Sequence, residues 1–225
     1  KFQTITKKRY IDKKNKKLFE EYLLDGVSKF SEKNNLSFLN RLDKYDLVIL
    51  ADFGHGLINK KIVNILNKKT KFLCINAQTN SENRGFNLIT KYKQADYICI
   101  DKLEANLALA EKEISTSEQI RRLYKSIKTK FLTISLGSDG IEISRKKGNK
   151  IESVNLPAFE IKPIDTLGAG DAVFAISSAL LKKRENLKIT AFISNLVGGL
   201  QANIIGHSKT ITKSDILKAV TYSLK

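Results

Sequence analysis

Short apolar runs alternate with longer amphipathic stretches along most of this chain. Four runs have the length and continuous apolar character of buried parallel strands, and amphipathic or polar stretches separate them. The predicted strands are Asp46–Ala51, Phe72–Ile75, Tyr97–Ile100 and Phe131–Ser135. The predicted helices are Ser28–Leu42, Ile58–Asn67, Lys102–Lys112, Ser117–Lys128, Ala169–Lys183, Leu187–Ile204 and Ser214–Leu224.

Two further pairs of strands are predicted outside this alternation. Phe2–Ile11 and Leu18–Leu23 flank a polar turn, and Ile141–Ser144 and Ile151–Val154 are separated by a short basic turn. Strands that alternate with helices indicate a parallel sheet covered on both faces. The sequence therefore predicts an α/β fold, with a doubly wound, mostly parallel sheet flanked by helices. We expect one domain, in which residues 1–26 form a β-hairpin and residues 27–225 form the α/β body.

The chain is strongly basic, with a formal net charge of +17 over 225 residues. Such a charge fits a nucleic acid or an anionic surface. However, the lysines are spread along the chain, and no aromatic side chains are interleaved with them as a base-stacking surface requires. We favour compositional drift toward Lys, Asn and Ile, and we do not expect a nucleic-acid partner.

Other features of the composition point to a cytoplasmic protein. No apolar run has the roughly 18 residues of a membrane span, and no signal peptide is evident. Cys74 and Cys99 lie in apolar runs and are expected to be buried free thiols. The chain contains no Met and begins at Lys1, so we expect it to be a fragment of a longer protein.

The stretch Asp165–Asp171 places small residues directly before a long apolar run with helical spacing. The backbone N–H groups of Gly168, Ala169 and Gly170 can point in one direction at the start of that helix, where partial positive charge suits a phosphate. Asp171 follows in the first turn. A carboxylate is a poor phosphate ligand there but a suitable general base for a hydroxyl. An ordinary N-cap with a glycine-rich turn is the alternative.

Asp-Thr-Leu-Gly-Ala-Gly-Asp resembles the C-terminal signature of the ribokinase/PfkB carbohydrate kinase family. In that family the last Asp deprotonates the sugar hydroxyl and the Gly-Ala-Gly amides hold the transferring phosphoryl group. The resemblance implies these roles for Asp171 and for Gly168–Gly170, and makes Asp165 a candidate metal ligand. The chain departs from the family pattern at Val173 and Ile176, so we expect a local difference in helix packing.

Asp101-Lys102-Leu103-Glu104 follows a strand and opens a helix. It resembles the Asn-x-x-Glu motif of the family, whose Glu orients the waters of the Mg²⁺ that bridges the ATP phosphates. This implies Glu104 as a metal-organising residue. Asp101 replaces the Asn and is either a second metal contact or an N-cap, and Glu104 itself has the alternative of a first-turn helix acid.

Two further segments resemble the nucleotide site of the family. Ser135–Gly140 resembles the Thr-Leu-Gly-x-x-Gly nucleotide loop, where glycines let the backbone approach the nucleotide. Asn195–Leu200 resembles the segment beside the adenine, and its two glycines either face a flat ligand or permit tight helix packing. The implied nucleotide-binding residues are Ser135, Gly137, Gly140, Asn195 and Gly199.

Asp52-Phe53-Gly54-His55-Gly56 resembles the Asp-Tyr-Gly-Lys-Gly loop of heptose-phosphate kinases, with His55 in place of Lys. The polar connection Asn76–Gly85 either reads sugar hydroxyls or a phosphate or is a solvated loop. The candidate substrate residues are Asp52, Gly56, Asn76 and Arg84.

The resemblance implies an ATP-dependent kinase of a sugar or sugar phosphate, closest to heptose-phosphate kinases, that uses Mg²⁺ and can use a monovalent cation. It also implies that the N-terminal hairpin is a lid over the sugar and a candidate homodimer contact, and that the opening strands of the family fold are missing. The alternatives are a nucleoside or hexose-phosphate acceptor, a catalytically weak nucleotide-binding module beside a nucleotidyltransferase, and a basic nucleic-acid-binding protein.

Overall fold

A computed structural model describes residues 5–13, 17–23, 37–80, 83–159, 163–184, 186–206 and 208–224. These residues form a two-stranded ribbon and a six-stranded sheet. The ribbon consists of β1 (Thr6–Ile11) and β2 (Lys17–Leu23). The sheet consists of β3 (Val48–Asp52), β4 (Leu73–Ala77), β5 (Tyr97–Asp101), β6 (Phe131–Ser135), β7 (Ile141–Lys147) and β8 (Lys150–Leu156).

The helices lie between and after the sheet strands. They are α1 (Lys60–Lys69), α2 (Lys102–Leu109), α3 (Thr116–Ser126), α4 (Ala169–Arg184), α5 (Leu187–Gln201) and α6 (Lys213–Ser223). Short 3₁₀ helices occupy Phe38–Lys44, Ile89–Lys91 and Gly137–Asp139. Asn59, Asp101, Ser115, Asn186 and Thr212 accept hydrogen bonds from backbone N–H groups at the starts of α1, α2, α3, α5 and α6, as helix N-caps commonly do.

The sheet is parallel on one side and antiparallel on the other. Its order is β3-β4-β5-β6-β7-β8; β3 to β6 pair in parallel, and β7 and β8 are antiparallel to their neighbours. The carboxyl ends of β3, β4, β5 and β6 therefore meet at one edge, which is where ligands gather in open α/β sheets. This arrangement confirms the predicted α/β fold with a mostly parallel sheet.

Alternating side chains along each buried strand divide the core into two layers. Leu73 and Ile75 of β4 pack in a cluster with residues of α1 and α3, whereas Cys74 between them packs in a second cluster with α4 and α5. The same alternation recurs in β5, since Tyr97 joins the second layer and Ile98 the first. Helices therefore cover both faces of the sheet.

A polar contact inside the second layer joins α4 to the sheet. The phenol oxygen of fully buried Tyr97 lies 2.9 Å from Thr133 Oγ1 of β6 and 2.7 Å from Ser177 Oγ of α4. Ser177 also donates to the carbonyl of Val173 (2.6 Å), and the Tyr97 ring packs against Phe174. A buried hydroxyl must be hydrogen-bonded, so these contacts favour one position of α4 along the sheet.

The N-terminal ribbon carries a group of ion pairs on one face and a stacked aromatic pair on the other. On the charged face Glu20 pairs with Lys7 (3.1 Å) and Arg9 (2.6 Å). On the other face Tyr10 stacks on Phe19 with ring centroids 4.2 Å apart. Both aromatic rings are exposed.

Some predicted elements differ from the observed ones. The predicted helix Ser28–Leu42 falls largely outside the described residues, and its last part is a 3₁₀ helix that continues to Lys44. The helix predicted over Lys102–Lys112 ends at Leu109, because Ala110 adopts a left-handed conformation. Cys74 and Cys99 are buried free thiols, as predicted. In the described ranges, no helix is long and apolar enough to cross a membrane.

We expect Tyr97→Phe to lower the free energy of unfolding by about 1–2 kcal/mol, because it leaves the buried Thr133 hydroxyl without its phenol partner. Tyr45→Phe, the same change at an exposed ring, is the control and should shift stability by less than about 0.5 kcal/mol. Urea denaturation measures both. Equal effects in the two variants would show that the buried phenol does not stabilise the docking of α4.

Candidate active site

The loop before α4 is held in place by Asp165. Its Oδ1 accepts from the Leu167 N–H (3.0 Å), and its Oδ2 accepts from the Gly206 N–H (2.9 Å), beyond the end of α5. Gly168 has a φ of 75°, in the left-handed region that favours glycine. The chain thereby turns sharply into α4, whose first turn carries Asp171 with an exposed side chain.

The three amides of the predicted anion site are not equivalent. The Ala169 N–H donates to the Thr166 carbonyl at 3.2 Å, so the turn itself engages this amide. The role of the three amides at an anion stays a prediction, in which the Ala169 amide has a competing partner inside the turn. The N–H groups of Gly168 and Gly170 remain candidates for contact with an anion at this helix start.

Glu104 lies at the carboxyl end of β5 and is 7% exposed. Its Oε2 accepts from the Asp101 N–H (2.9 Å), while Asp101 Oδ1 accepts from the Glu104 N–H (2.6 Å), which forms a capping box. Glu104 Oε1 accepts from the Thr79 N–H, in the segment after β4 (2.8 Å). Glu104 thus links the ends of two neighbouring strands.

Several negative charges meet at Glu104. Burial, followed by repulsion from Asp101, raises the pKa of Glu104 to about 7, and the charge of Asp171 adds to this rise. The general base predicted on α4 and the predicted metal-organising residue therefore lie within electrostatic reach of each other. A cation placed among these carboxylates would relieve their repulsion.

These carboxylates are better suited to a cation that keeps its waters than to a cation that is fully coordinated by protein groups. Asp101 and Asp165 already accept hydrogen bonds from backbone amides. Among the described residues, no group of three or more His, Cys, Asp or Glu side chains is arranged to hold a metal ion. Mg²⁺ usually keeps several waters and takes one or two carboxylates beside substrate phosphates.

The predicted nucleotide loop, Ser135–Gly140, packs against the segment after β8. A Cβ atom on Gly140, whose φ is 97°, would lie 2.0 Å from the Leu156 carbonyl oxygen and 2.6 Å from the Ala158 nitrogen. Asn195 of α5 donates from Nδ2 to the carbonyl of Pro157 in the same segment (2.7 Å). The structure therefore brings Gly140 and Asn195, which are far apart in the sequence, against the same short segment at the end of β8.

Helix packing accounts for the first glycine of the α5 pair. A Cβ atom on Gly198 would lie 2.7 Å from Val173 Cγ2 of α4, so the two helices approach closely at this point. Val173 is one of the two positions where the chain departs from the family signature. The Gly199 carbonyl accepts from Asn203 Nδ2 (3.1 Å). Of the two readings left open by the sequence, tight packing is the one that the contacts of Gly198 support.

The candidate substrate residues lie in the loops that follow β3 and β4. Asp52 is 3% exposed, and the Tyr92 hydroxyl donates to its Oδ2 (2.6 Å). Gly56 has a φ of 82° in an open part of the loop. Asn76 donates from Nδ2 to the Cys99 carbonyl (2.8 Å) and so joins β4 to β5, whereas Arg84 is exposed.

The ribbon reaches the loop after β3. The ring of Tyr22 on β2 lies 6.5 Å from the imidazole of His55, measured between centroids. The predicted lid thus contacts the loop in which sugar contacts are predicted. Sequence reasoning missed Tyr92, Lys91 and Asn87, which surround the same loop. Asn83 lies within the polar connection Asn76–Gly85 that the sequence indicated.

Comparisons with known proteins bear on the family and the fold of this chain. The family described as pfkB family carbohydrate kinase matches residues 28–213, which is most of the chain. The chain belongs to the pfkB family of carbohydrate kinases. Among curated proteins, the bifunctional protein HldE of Campylobacter fetus is 28% identical over 177 residues. That match covers 75% of this chain and 36% of the relative, so the chain spans little more than a third of that protein's length.

Solved structures share the fold at low sequence identity. Ribokinase from Thermotoga maritima matches with a TM-score of 0.69 and 16% identity, over 97% of this chain and 71% of the ribokinase chain. Phosphofructokinase-2 from Escherichia coli, in a complex with potassium, matches with a TM-score of 0.71 and 11% identity. That match covers 92% of this chain and 67% of the other. These likenesses establish a ribokinase-like fold.

The raised pKa of Glu104 predicts a pH dependence of stability. Because the folded state holds this proton more tightly than the unfolded chain, ionisation of Glu104 destabilises the fold as pH rises from about 4.5 to about 7. We expect Glu104→Gln to remove this loss, which for a rise from 4.5 to about 7 is about 3–4 kcal/mol at about 1.4 kcal/mol per pKa unit. The midpoints of urea denaturation, measured between pH 5 and pH 8, report this change in stability.

Glu113→Gln, the same change at an exposed site, is the matched control for this experiment. Its stability should follow the wild-type pH profile throughout. Parallel profiles for the wild type and Glu104→Gln would mean that Glu104 titrates near its ordinary pKa in the folded protein.

Proposed function

We propose that this chain transfers the γ-phosphoryl group of ATP to a hydroxyl of a sugar or sugar phosphate. The observation that carries the proposal is the turn that Asp165 and Gly168 hold at the start of α4, which presents Asp171 with an exposed side chain. Membership in the pfkB family supports it. In phosphoryl transfer the protein mainly positions groups and stabilises charge, which suits this arrangement of loops on a rigid sheet.

In the proposed reaction Asp171 accepts the proton of the acceptor hydroxyl. The acceptor oxygen then forms a bond to the γ-phosphorus, the bond from that phosphorus to the bridging oxygen breaks, and ADP leaves with the electron pair. The backbone N–H groups of Gly168 and Gly170, with the positive end of α4, stabilise the charge on the transferring group. Ala169 contributes mainly through the shape of the turn.

Bound Mg²⁺ would neutralise part of the negative charge of the ATP phosphates. Glu104 would hold it through waters, and Asp101 keeps the Glu104 carboxylate in place through the capping box. Asp165 acts through the loop that it fixes and not as a direct ligand. Ser135, Gly137, Gly140, Asn195 and Gly199 would form the nucleotide side of the site. A monovalent cation nearby is a further proposal, prompted by the potassium complex of the similar phosphofructokinase-2.

A heptose phosphate is the acceptor that we favour. The loop Asp52–Gly56 resembles that of heptose-phosphate kinases, and HldE proteins are among the similar curated proteins. Exposed Arg84 is suited to a phosphate on the sugar, and Gly56 leaves the loop open for an approaching ligand. The alternatives are a nucleoside or hexose-phosphate acceptor, and a weakly catalytic module that serves a nucleotidyltransferase.

The exposed aromatic face of the ribbon supports a second proposal, that two lids pair in a homodimer. This contact would cover Tyr10 and Phe19, which stack on each other. It leaves the opposite face, with Tyr22, directed toward the loop after β3.

A panel of acceptors separates the candidate functions. ADP release from ATP and Mg²⁺ should be stimulated by a heptose 7-phosphate more than by hexose 6-phosphates, free sugars or nucleosides. Stimulation by another member of the panel would correct the acceptor but retain the kinase. ATP binding without stimulated turnover by any acceptor would favour the weakly catalytic module.

Asp171→Asn should lower turnover by about 10²- to 10⁴-fold, the usual contribution of a general base, and leave the affinity for ATP nearly unchanged. Asp46→Asn, the same change at an exposed site before β3, should leave both unchanged. Steady-state kinetics and calorimetric titration of ATP measure the two quantities. Near-normal turnover of Asp171→Asn would remove this residue from the mechanism.

Glu104→Gln should raise the Mg²⁺ concentration needed for half-maximal rate, because a neutral amide holds the waters of the ion less strongly. The measurement is the rate as a function of Mg²⁺ at fixed ATP, in protein whose circular dichroism matches that of the wild type. An unchanged Mg²⁺ titration would assign Glu104 to the capping box alone.

A further inference from the structure

Two asparagine side chains join the loops that follow β3 and β4. Asn87 Nδ2 donates to the carbonyls of Asp52 (2.8 Å) and Gln78 (3.2 Å). Asn83 Nδ2 donates to the carbonyls of Phe53 (2.8 Å) and Gln78 (3.2 Å). Both side chains are buried. We name Asn83 and Asn87 the amide clamp. They bind the consecutive carbonyls of Asp52 and Phe53 after β3, and both bind the carbonyl of Gln78 after β4.

The carboxylate of Asp52 is engaged beneath the clamp. Its Oδ2 accepts from the Tyr92 hydroxyl (2.6 Å) and pairs with the Lys91 ammonium, and its Oδ1 accepts from the Gly54 N–H (3.0 Å). Lys91 also donates to Asn87 Oδ1. Because these partners surround a carboxylate that is almost fully buried, Asp52 holds the loop from below and does not face an acceptor.

The loop is packed against the clamp with no space for a side chain. Gly54 has a φ of 76°, and a Cβ atom there would lie 2.3 Å from Asn83 Nδ2 and 2.9 Å from Asn87 Cβ. This glycine is therefore required both by its backbone conformation and by the close approach of the two asparagines.

The segment held by the clamp also reaches Glu104. Gln78, whose carbonyl both asparagines bind, precedes Thr79, and the Thr79 N–H donates to Glu104 Oε1 (2.8 Å). The Gln78 N–H donates to the Asp52 carbonyl (2.9 Å). A short hydrogen-bonded path therefore runs from the Asp52–Gly56 loop to the carboxylate that is proposed to organise Mg²⁺.

We propose that Asn83 and Asn87 are positioning residues that fix the Asp52–Gly56 loop relative to Glu104, with Asp52 as the buried support of that loop. This inference rests on the proposed function, in which the loop contacts the acceptor. A rigid connection between the Asp52–Gly56 loop and Glu104 would fix the distance between the acceptor hydroxyl and the γ-phosphorus. Small errors in such a distance lower the rate strongly.

Asn83→Asp and Asn87→Asp test the clamp, because each replaces an amide donor by an oxygen that repels the carbonyls it faced. The control is Asn64→Asp, the same change at an exposed position of α1. Hydrogen exchange of peptides that cover residues 53–57 reports on the loop without activity. Acceptor kcat/KM, measured beside the KM for ATP, reports on positioning.

For both clamp variants we expect faster hydrogen exchange over residues 53–57 than in the wild type. We also expect the acceptor kcat/KM to fall by about 10- to 100-fold, while the KM for ATP stays within about twofold. The control should show neither effect. Wild-type exchange rates would overturn the clamp. Faster exchange with unchanged acceptor kinetics would overturn its positioning role. A wild-type protein that phosphorylates no acceptor would overturn the proposed function, while the exchange rates still decide whether the amides hold the loop.

Gly54→Ala provides a second route if an Asp variant fails to fold. It leaves both asparagines in place and inserts a methyl group between them and the loop. Gly148→Ala, in the turn between β7 and β8, has a comparable left-handed φ of 58° with open space around it, so it reports the backbone strain alone. The clamp predicts a larger loss of loop protection and acceptor kcat/KM for Gly54→Ala; equal behaviour of the two variants would contradict it.

Discussion

The buried phenol of Tyr97 determines where the candidate catalytic helix begins. Its hydrogen-bonding distances to Thr133 of β6 and Ser177 of α4 fix the helix along the sheet, and Asp171 lies less than two turns before Ser177 on the same helix. Apolar contacts alone tolerate sliding between a helix and a sheet, whereas a buried hydroxyl without a partner costs free energy. The close approach of Gly198 to Val173, one turn before Ser177, further fixes the same helix.

The position of α4 places the Asp171 carboxylate near Glu104, whose ionisation already costs free energy. Glu104 is buried near Asp101 and within reach of Asp171, so its ionised form is disfavoured in the protein alone. Ionisable groups with raised pKa values cluster at functional sites. A bound cation would offset this repulsion, which supports the proposed role of Glu104 beside a metal ion.

Much of this architecture follows from local patterns. The start of α4 at Ala169 and the bounds of β6 were predicted from apolar runs and glycine positions. The burial of Asp52 was not predictable, because Tyr92 and Lys91 lie about 40 residues away beside a 3₁₀ helix without periodic signal. The role of Gly198 was ambiguous in the sequence, because close helix packing and contact with a flat ligand both require a small residue.

A crystal structure with ADP, Mg²⁺, tetrafluoroaluminate and an acceptor sugar would show whether the reacting groups meet at the start of α4. We expect the fluoroaluminate to contact the amides of Gly168 and Gly170, with the acceptor hydroxyl beside Asp171. We also expect waters of Mg²⁺ to contact Glu104. Nucleotide phosphates bound away from the start of α4, or an acceptor hydroxyl remote from Asp171, would contradict this arrangement.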